Sequence, residues 1–422
     1  MRSSLVQAPA RRLFELDAPQ LSKHSVAQED QLSDIEEIPV AVEQFVNTYV
    51  IPIDDEHDGD VEAAGGDALR LRLQGMARER GLLTPHGPKD LGGGGLGMVD
   101  RMAVFEAAGR SLFGPMALNI NAPDEGNVHL LDNVATPQQR DRYLGPLVRG
   151  ETRSAFAMTE PAPGAGADPT MLSTTARRVQ GGWLINGRKW FITGADGAGF
   201  FIIMARTGGR PGDRGGATMF LAPAERGGIA VTRHMGTMDR SMVGGHCDVS
   251  LTDVFVPDED VLGAVDQGFA FAQVRLGPAR MTHVMRWSGA ARRAHEVAVA
   301  HVANREAFGS TLADLGMMQQ MIADNEIDLA ATRALLYEAC RELDAGARAV
   351  ENTSIAKTFA GEALHRVVDR AVQMCGGLGV SSDLPVAKIA REIRPFRIYD
   401  GPSEVHRWAI ARRAVRRIGN ER

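Results

Sequence analysis

The feature that most constrains this chain is a double change of texture along it. From about Ile35 to 153, charged and apolar residues alternate at short helical spacing. Between 154 and 265 the pattern changes to short runs rich in β-branched and aromatic residues: WLIN at Trp183, FFIIMAR at Phe200, TMFLA at Thr218 and VSLTDVFVP at Val249. Glycine and Asp/Asn turns separate these runs, and no helical segments alternate with them, so they predict an antiparallel β unit. Helical periodicity then returns. Trp287, Ala290, Ala291, Ala294, Val297, Ala298 and Val302 trace one apolar stripe, and Met318, Ile322, Leu329, Leu336 and Cys340 trace another. Helices of this kind pack as a bundle. The expected architecture is an α+β multidomain chain: a flexible N-terminus (1–34), a helical domain (35–153), a middle antiparallel β domain (154–265) and a C-terminal helical bundle (266–422). A length of 422 residues, too great for one ordinary core, fits this division.

Composition narrows the function classes. With 44% apolar and 24% charged residues, the chain reads as globular rather than disordered. A formal net charge of −6 is small for the length and gives no general attraction to nucleic acid or anionic lipid. Cys247, Cys340 and Cys375 are widely separated and odd in number, which predicts core thiols in a reducing, cytoplasmic setting and no metal site. No apolar run approaches the roughly 18 residues of a membrane span. The start, MRSSLVQAPARR, has the Arg and Ser of a presequence, but the acidic DIEE follows soon after, and we read it as an unstructured terminus. LGGGGLG at Leu91 to Gly97 lacks the Lys and Ser/Thr of a phosphate loop and predicts a hinge or turn. No GxGxxG stands between a strand and a helix, so a Rossmann site is not expected.

Several segments carry residues suited to chemistry. AFAMTEPAPGAGADP, Ala155 to Pro169, predicts a rigid irregular loop with free backbone amides, and GRKWFITGA, Gly187 to Ala195, sets aromatic faces beside a Thr hydroxyl at a strand end. QMCGGLGV, Gln373 to Val380, reads either as a helix C-cap or as a place of close approach to backbone. RIYDGPSEVHR, Arg397 to Arg407, places Asp400 on a turn that its Gly and Pro keep from being helical. In GPARMTHVMRWSG, Gly277 to Gly289, Arg280 and His283 are spaced i, i+3 near the opening of a helix, so they share a face, which reads either as a solvated basic face or as a pair that can act on one ligand. NREAFG, Asn304 to Gly309, ends that stretch with Arg305.

In this order and at these separations, the segments resemble the acyl-CoA dehydrogenase family. The carrying residues are MTEP and GAGAD (Met158 to Asp168), KWFITGA (Lys189 to Ala195), RxxFG (Arg305 to Gly309), QMCGGLGV and IYDGPSEV (Ile398 to Val405), and the resemblance covers about residues 40 to 418. NINAPDEGN (Asn119 to Asn127), GGHCDV (Gly244 to Val249) and GPARMTHVMR are similar to the branch of family members ten and eleven. The resemblance implies a C-terminal four-helix bundle and FAD bound between the β domain and the bundle. Phe156, Met158, Thr159, Gly166, Phe191 and Thr193 would meet the flavin ring. Arg305 and Phe308 would meet the diphosphate and adenine side across a subunit interface, with Gln373, Gly376, Gly377 and Glu404 beside them. A homodimer or homotetramer is implied, with an acyl-CoA substrate and electron-transfer flavoprotein or another electron acceptor.

The implied reaction is α,β-desaturation of an acyl thioester in fatty acid metabolism. Asp400 would take the α proton while hydride leaves to flavin N5, with Arg280 beside the base. Desolvation raises the Asp carboxyl above its ordinary value of about 3.9, whereas the charge of Arg280 opposes that rise. Two departures stand out: most of the family has Glu where this chain has Asp400, one methylene shorter, and Ala167 replaces a usual Ser in a lengthened loop. Asp as the base is shared with nitroalkane oxidase. The alternative readings are therefore a flavin oxidase of that kind, or a non-catalytic flavin or acyl-CoA binding protein.

Overall fold

Val42, Phe45, Val46 and Val50 recur at helical spacing, and in a computed structural model of the protein, which describes residues 37–420, all four are buried. They lie on a helix over 37–45 and the π-turn that follows it, Val46–Val50. The flexible terminus expected at 1–34 lies outside the described residues. Further helices follow at Gly66–Glu79, Met98–Gly109 and Asp124–Val134. The glycine run folds as a packed turn rather than a hinge. A Cβ on Gly93 would meet the Gly87 backbone at 2.3 Å, and one on Gly94 would meet the Pro85 carbonyl at 2.6 Å, so only glycine fits.

Eight strands follow: β1 (Ser154–Ala157), β2 (Thr175–Val179), β3 (Gly182–Thr193), β4 (Phe200–Arg206), β5 (Ala217–Pro223), β6 (Ile229–His234), β7 (His246–Pro257) and β8 (Val261–Leu262). They form one sheet in the order β6-β7-β3-β2-β4-β5-β8. Pairing is antiparallel except that β1 lies parallel to β4, and β2 meets β4 at one parallel pair. β4 is buried along its whole length, as its unbroken apolar run requires.

The bundle holds helices Gly268–Asn304, Gly316–Asp344, Val350–Cys375 and Ser403–Asn420, with a short Val386–Ile393 helix between the last two. Of the first predicted stripe, Ala290, Ala291, Ala294, Ala298 and Val302 are buried, and Trp287 and Val297 are partly buried against them. Gly289 on this first helix and Gly109 on the Met98–Gly109 helix let the two backbones touch. A Cβ on Gly109 would stand 2.0 Å from the Arg286 carbonyl, and one on Gly289 would stand 2.0 Å from the Glu106 carbonyl. That contact fixes the helix carrying Arg280 and His283 against the N-terminal helices. All three cysteines are free and buried, and no described helix is long and apolar enough to cross a membrane.

Candidate active site

Between the 3₁₀ turn Arg394–Arg397 and the last helix, Asp400 takes φ 53° and Gly401 φ 94°. Asp is among the few L-residues that enter the left-handed region at modest cost, and a Cβ on Gly401 would press to 2.7 Å from His406 Nε2. Three helices hold this turn by its backbone. Arg280 Nε donates to the Asp400 carbonyl at 3.0 Å, Lys357 Nζ donates to the Gly401 carbonyl at 2.7 Å, and His406 Nε2 lies 3.2 Å from the Asp400 carbonyl. Burial pushes the Lys357 ammonium down to about 8, which still leaves it largely charged at neutral pH.

The Asp400 carboxylate is treated differently from its backbone. Oδ2 is buried and has no hydrogen-bond partner among the described residues. His283 Nε2 stands 3.1 Å from it, without the alignment of a hydrogen bond. Arg286 Nη2 is 2.7 Å from His283 Nδ1; guanidinium only donates, so Nδ1 is the bare nitrogen and Nε2 carries the proton that faces Asp400. Burial and the charge of Arg286 hold this imidazole below its ordinary value, which keeps it neutral at physiological pH. Burial raises the Asp400 carboxyl, but His283 and the charges of Arg275 and Arg280 outweigh it and hold the group well below the usual carboxylate range. The His283 contact and the arginine charges therefore win over desolvation.

His283 and Tyr399, which neighbour Asp400, also line a cavity walled by Leu112, Pro115, Met116, Trp287 and Ala290, with Ser111, Asn121, Ser241 and Arg286 among its polar members. The Tyr399 ring packs 4.8 Å from His283, and Tyr399 accepts a hydrogen bond from the Trp287 indole. Arg280 and His283, predicted to share a face, converge on Asp400 from the interior of a helix rather than near its opening.

The second cluster forms where β1 leaves the sheet beside the end of β3. Trp190 N–H donates to the Thr159 carbonyl at 3.0 Å, and Lys189 Nζ donates to the Met158 carbonyl at 3.1 Å. Phe156 is half-buried beneath the Arg275 guanidinium, 4.2 Å away. Phe191 is 45% exposed at φ 51°, and Thr193 Oγ1 meets His246 Nδ1 at 3.0 Å. Gly166 is exposed, with open space where a Cβ would stand. Glu160 organises the loop between them: it accepts from Lys189, Ala165, Thr174 and both donors of Ser173.

The remaining predicted residues lie apart from these clusters. Arg305 and Phe308 sit on an exposed hairpin after the long helix, with Phe308 93% exposed and at φ 55°. Gln373, Gly376 and Gly377 are exposed where the Val350–Cys375 helix ends, and Gly376, at φ 57°, caps it. Glu404 is exposed on the last helix. Among the described residues none of these six bonds to the group around Asp400. His406 stood inside the RIYDGPSEVHR segment without being singled out, and two residues of the site carried no motif signal: Lys357 and Arg275. The last, buried and bonded to Asn127 Oδ1 at 2.8 Å, links the Phe156 ring to the base.

This geometry can be set beside known proteins. Residues 33–151, 155–254 and 266–415 match the N-terminal, middle and C-terminal domains of acyl-CoA dehydrogenases. The chain belongs to the acyl-CoA dehydrogenase family, flavoprotein oxidoreductases of fatty acid metabolism. It is 36% identical to the probable acyl-CoA dehydrogenase FadE2 of Mycobacterium tuberculosis over 88% of this chain and 93% of that protein. Within the family it groups with the branch of members ten and eleven: it is 33% identical to acyl-CoA dehydrogenase family member 11 of Mus musculus over 89% of this chain, although it spans only 50% of that protein. A putative acyl-CoA dehydrogenase from Mycobacterium abscessus superposes with a TM-score of 0.83 at 35% identity, covering 91% of this chain and 98% of the other.

Proposed function

We propose that this protein desaturates an acyl-CoA thioester between its α and β carbons, with Asp400 taking the α proton. The observation that carries the reading is the buried Asp400 Oδ2, whose near donor, the His283 Nε2–H at 3.1 Å, is not aligned as a hydrogen bond, next to His283 and Tyr399, which line an apolar cavity. An oxygen so poorly satisfied is costly to bury, and a substrate C–H brought to it meets a base with only a misaligned contact to surrender. Arg280, Lys357 and His406 fix the turn, so the short Asp side chain is aimed by its backbone. Arg275 and Arg280 keep it ionised. Entry of the thioester expels water, deepens the burial of the carboxylate and raises its basicity at the moment of use.

FAD is the cofactor of this reading, and when bound it supplies the ring that accepts the hydride. The residues fit it: an exposed Phe191 face beside a Thr hydroxyl suits a planar ring, and Gly166, Gly376 and Gly377 have open space where a Cβ would stand. Phe156, Met158, Thr159, Gly166, Phe191 and Thr193 would hold the ring. Arg305, Phe308, Gln373, Gly376, Gly377 and Glu404 would serve the diphosphate and adenine end of a second copy's cofactor. Exposed apolar side chains on the bundle, Phe308, Met317, Ile327 and Val380, are what a homodimer or homotetramer would cover. Electron-transfer flavoprotein or a comparable acceptor would reoxidise the enzyme, and three buried free thiols fit a cytoplasmic setting.

Anaerobic mixing tests the reading. Acyl-CoA is expected to bleach the bound flavin and nitroalkanes are not; bleaching by nitroalkanes alone gives the oxidase, and bleaching by neither gives a binding protein.

A further inference from the structure

The GGHCDV segment contains a histidine that the proposed chemistry does not use. His246 opens β7 and is the cross-strand partner of Thr193, the last residue of β3. Thr193 Oγ1 lies 3.0 Å from His246 Nδ1, and His246 Nε2 lies 2.7 Å from Asp239 Oδ2. The Asp239 side chain is 9% exposed and that of His246 15%. Backbone bonds hold the imidazole in place: Met235 N–H donates to the His246 carbonyl at 2.7 Å, and Gly194 N–H donates to the Gly245 carbonyl at 2.8 Å. Burial raises the Asp239 carboxyl, but the His246 contact outweighs it and leaves the group below its ordinary value, hence ionised.

The order of donors follows from valence. A carboxylate only accepts, so His246 Nε2 carries a proton; in the uncharged ring Nδ1 is then bare and accepts from the Thr193 hydroxyl. With its proton committed inward, the Thr193 oxygen offers only lone pairs to whatever lies on its open side. Two-electron reduction of an isoalloxazine turns a ring nitrogen from an acceptor into an N–H donor, and an oxygen without a free proton distinguishes the two.

We propose that Asp239 and His246 are positioning residues that hold the Thr193 hydroxyl as an acceptor toward the flavin, and so favour the reduced cofactor over the oxidised one. This rests on the assignment of Thr193 to the flavin ring. Asp239→Asn reverses the chain: the amide donates to Nε2, the other tautomer donates from Nδ1 to Thr193, and the hydroxyl proton turns outward.

The test is the midpoint potential of the bound flavin in the full-length holoprotein, with flavin content and melting temperature measured alongside. Asp239→Asn and Thr193→Val are each expected to move the potential to more negative values while FAD is retained. In a Thr193→Val background Asp239→Asn is expected to add nothing, because its effect passes through the hydroxyl. An unmoved or more positive potential in Thr193→Val overturns the proposal even if Asp239→Asn does not fold. So does a full Asp239→Asn shift that persists without the hydroxyl. If the wild-type holoprotein is bleached by acyl-CoA while these results fail, the relay alone is wrong; wild-type protein that retains no FAD overturns both the relay and the flavin reading.

Discussion

Asp400 and Glu160 are both carboxylates withdrawn from water and faced by cations, yet the molecule finishes them in opposite ways. Glu160 and Lys189 lie together in the β domain with side chains 1% and 0% exposed, and the Glu160 carboxylate collects five hydrogen bonds from Lys189, Ala165, Thr174 and Ser173. Every lone pair has an occupation, and the group serves to pin a proline-rich loop. Asp400 has more positive charge around it, yet at its Oδ2 only the His283 N–H stands near, at 3.1 Å and without hydrogen-bond alignment. The donors that could have satisfied it are spent on the backbone carbonyls of Asp400 and Gly401. Proximity of a cation therefore does not separate these two carboxylates; how fully their oxygens are occupied does.

That contrast can be broken most sharply at Asp400 itself. Asp400→Asn keeps the shape but cannot take a proton, and we predict that it lowers the rate of flavin reduction by acyl-CoA about a thousand-fold, with FAD still bound. Near-normal reduction in stopped-flow mixing would remove Asp400 from the mechanism. The matching change in the other pair, Lys189→Met, is expected to cost about 3–5 kcal/mol in urea unfolding, because it leaves a buried carboxylate without its counter-ion, while the folded fraction still reduces its flavin. A stable but inactive Lys189→Met would erase the distinction between the two sites.

Arg305→Ala sharpens the contrast from outside both pairs. If Arg305 makes the proposed charge-assisted contact to the diphosphate, its loss is predicted to weaken FAD retention about 10- to 100-fold, read as flavin content after gel filtration. The smallest effect concerns pH. Glu160 has its folded value lowered to about 2, so its contribution to stability is complete above its unfolded value of about 4.5 and is lost as pH falls from there through about 2. Asp400 is likewise depressed, so flavin reduction should show no acid limb from this group between about pH 5 and 8. A limb near pH 6 in that profile would mean that the cations do not govern the base.

Much of this was legible in the chain, and the exceptions have physical causes. The helical, β, helical order follows from hydrophobic period, a local property. The i, i+3 spacing of Arg280 and His283 correctly placed both on one face, although their helix begins earlier, at Gly268, and runs through Pro278. Proline lacks the N–H that would bond the Val274 carbonyl, so local propensity argued for an opening there and tertiary packing overrode it. The parallel pairing of β1 with β4 was invisible, because pairing direction depends on how the chain returns to the sheet. Lys357 reaches the Asp400 turn from another helix and nothing in its own neighbourhood marks it, whereas His406 stands six residues on in the same RIYDGPSEVHR segment and only the fold brings its ring back to the Asp400 carbonyl.

Sequence by itself determined the three textures, the turn that carries Asp400 and the glycines where backbone must approach backbone, since periodicity, φ preference and side-chain size are written residue by residue. Only the tertiary structure decided what Asp400 became. Its low proton affinity and its poorly satisfied oxygen arise from Arg275, Arg280 and His283, whose charge and donor geometry act through space at a few ångströms, whatever their distance along the chain.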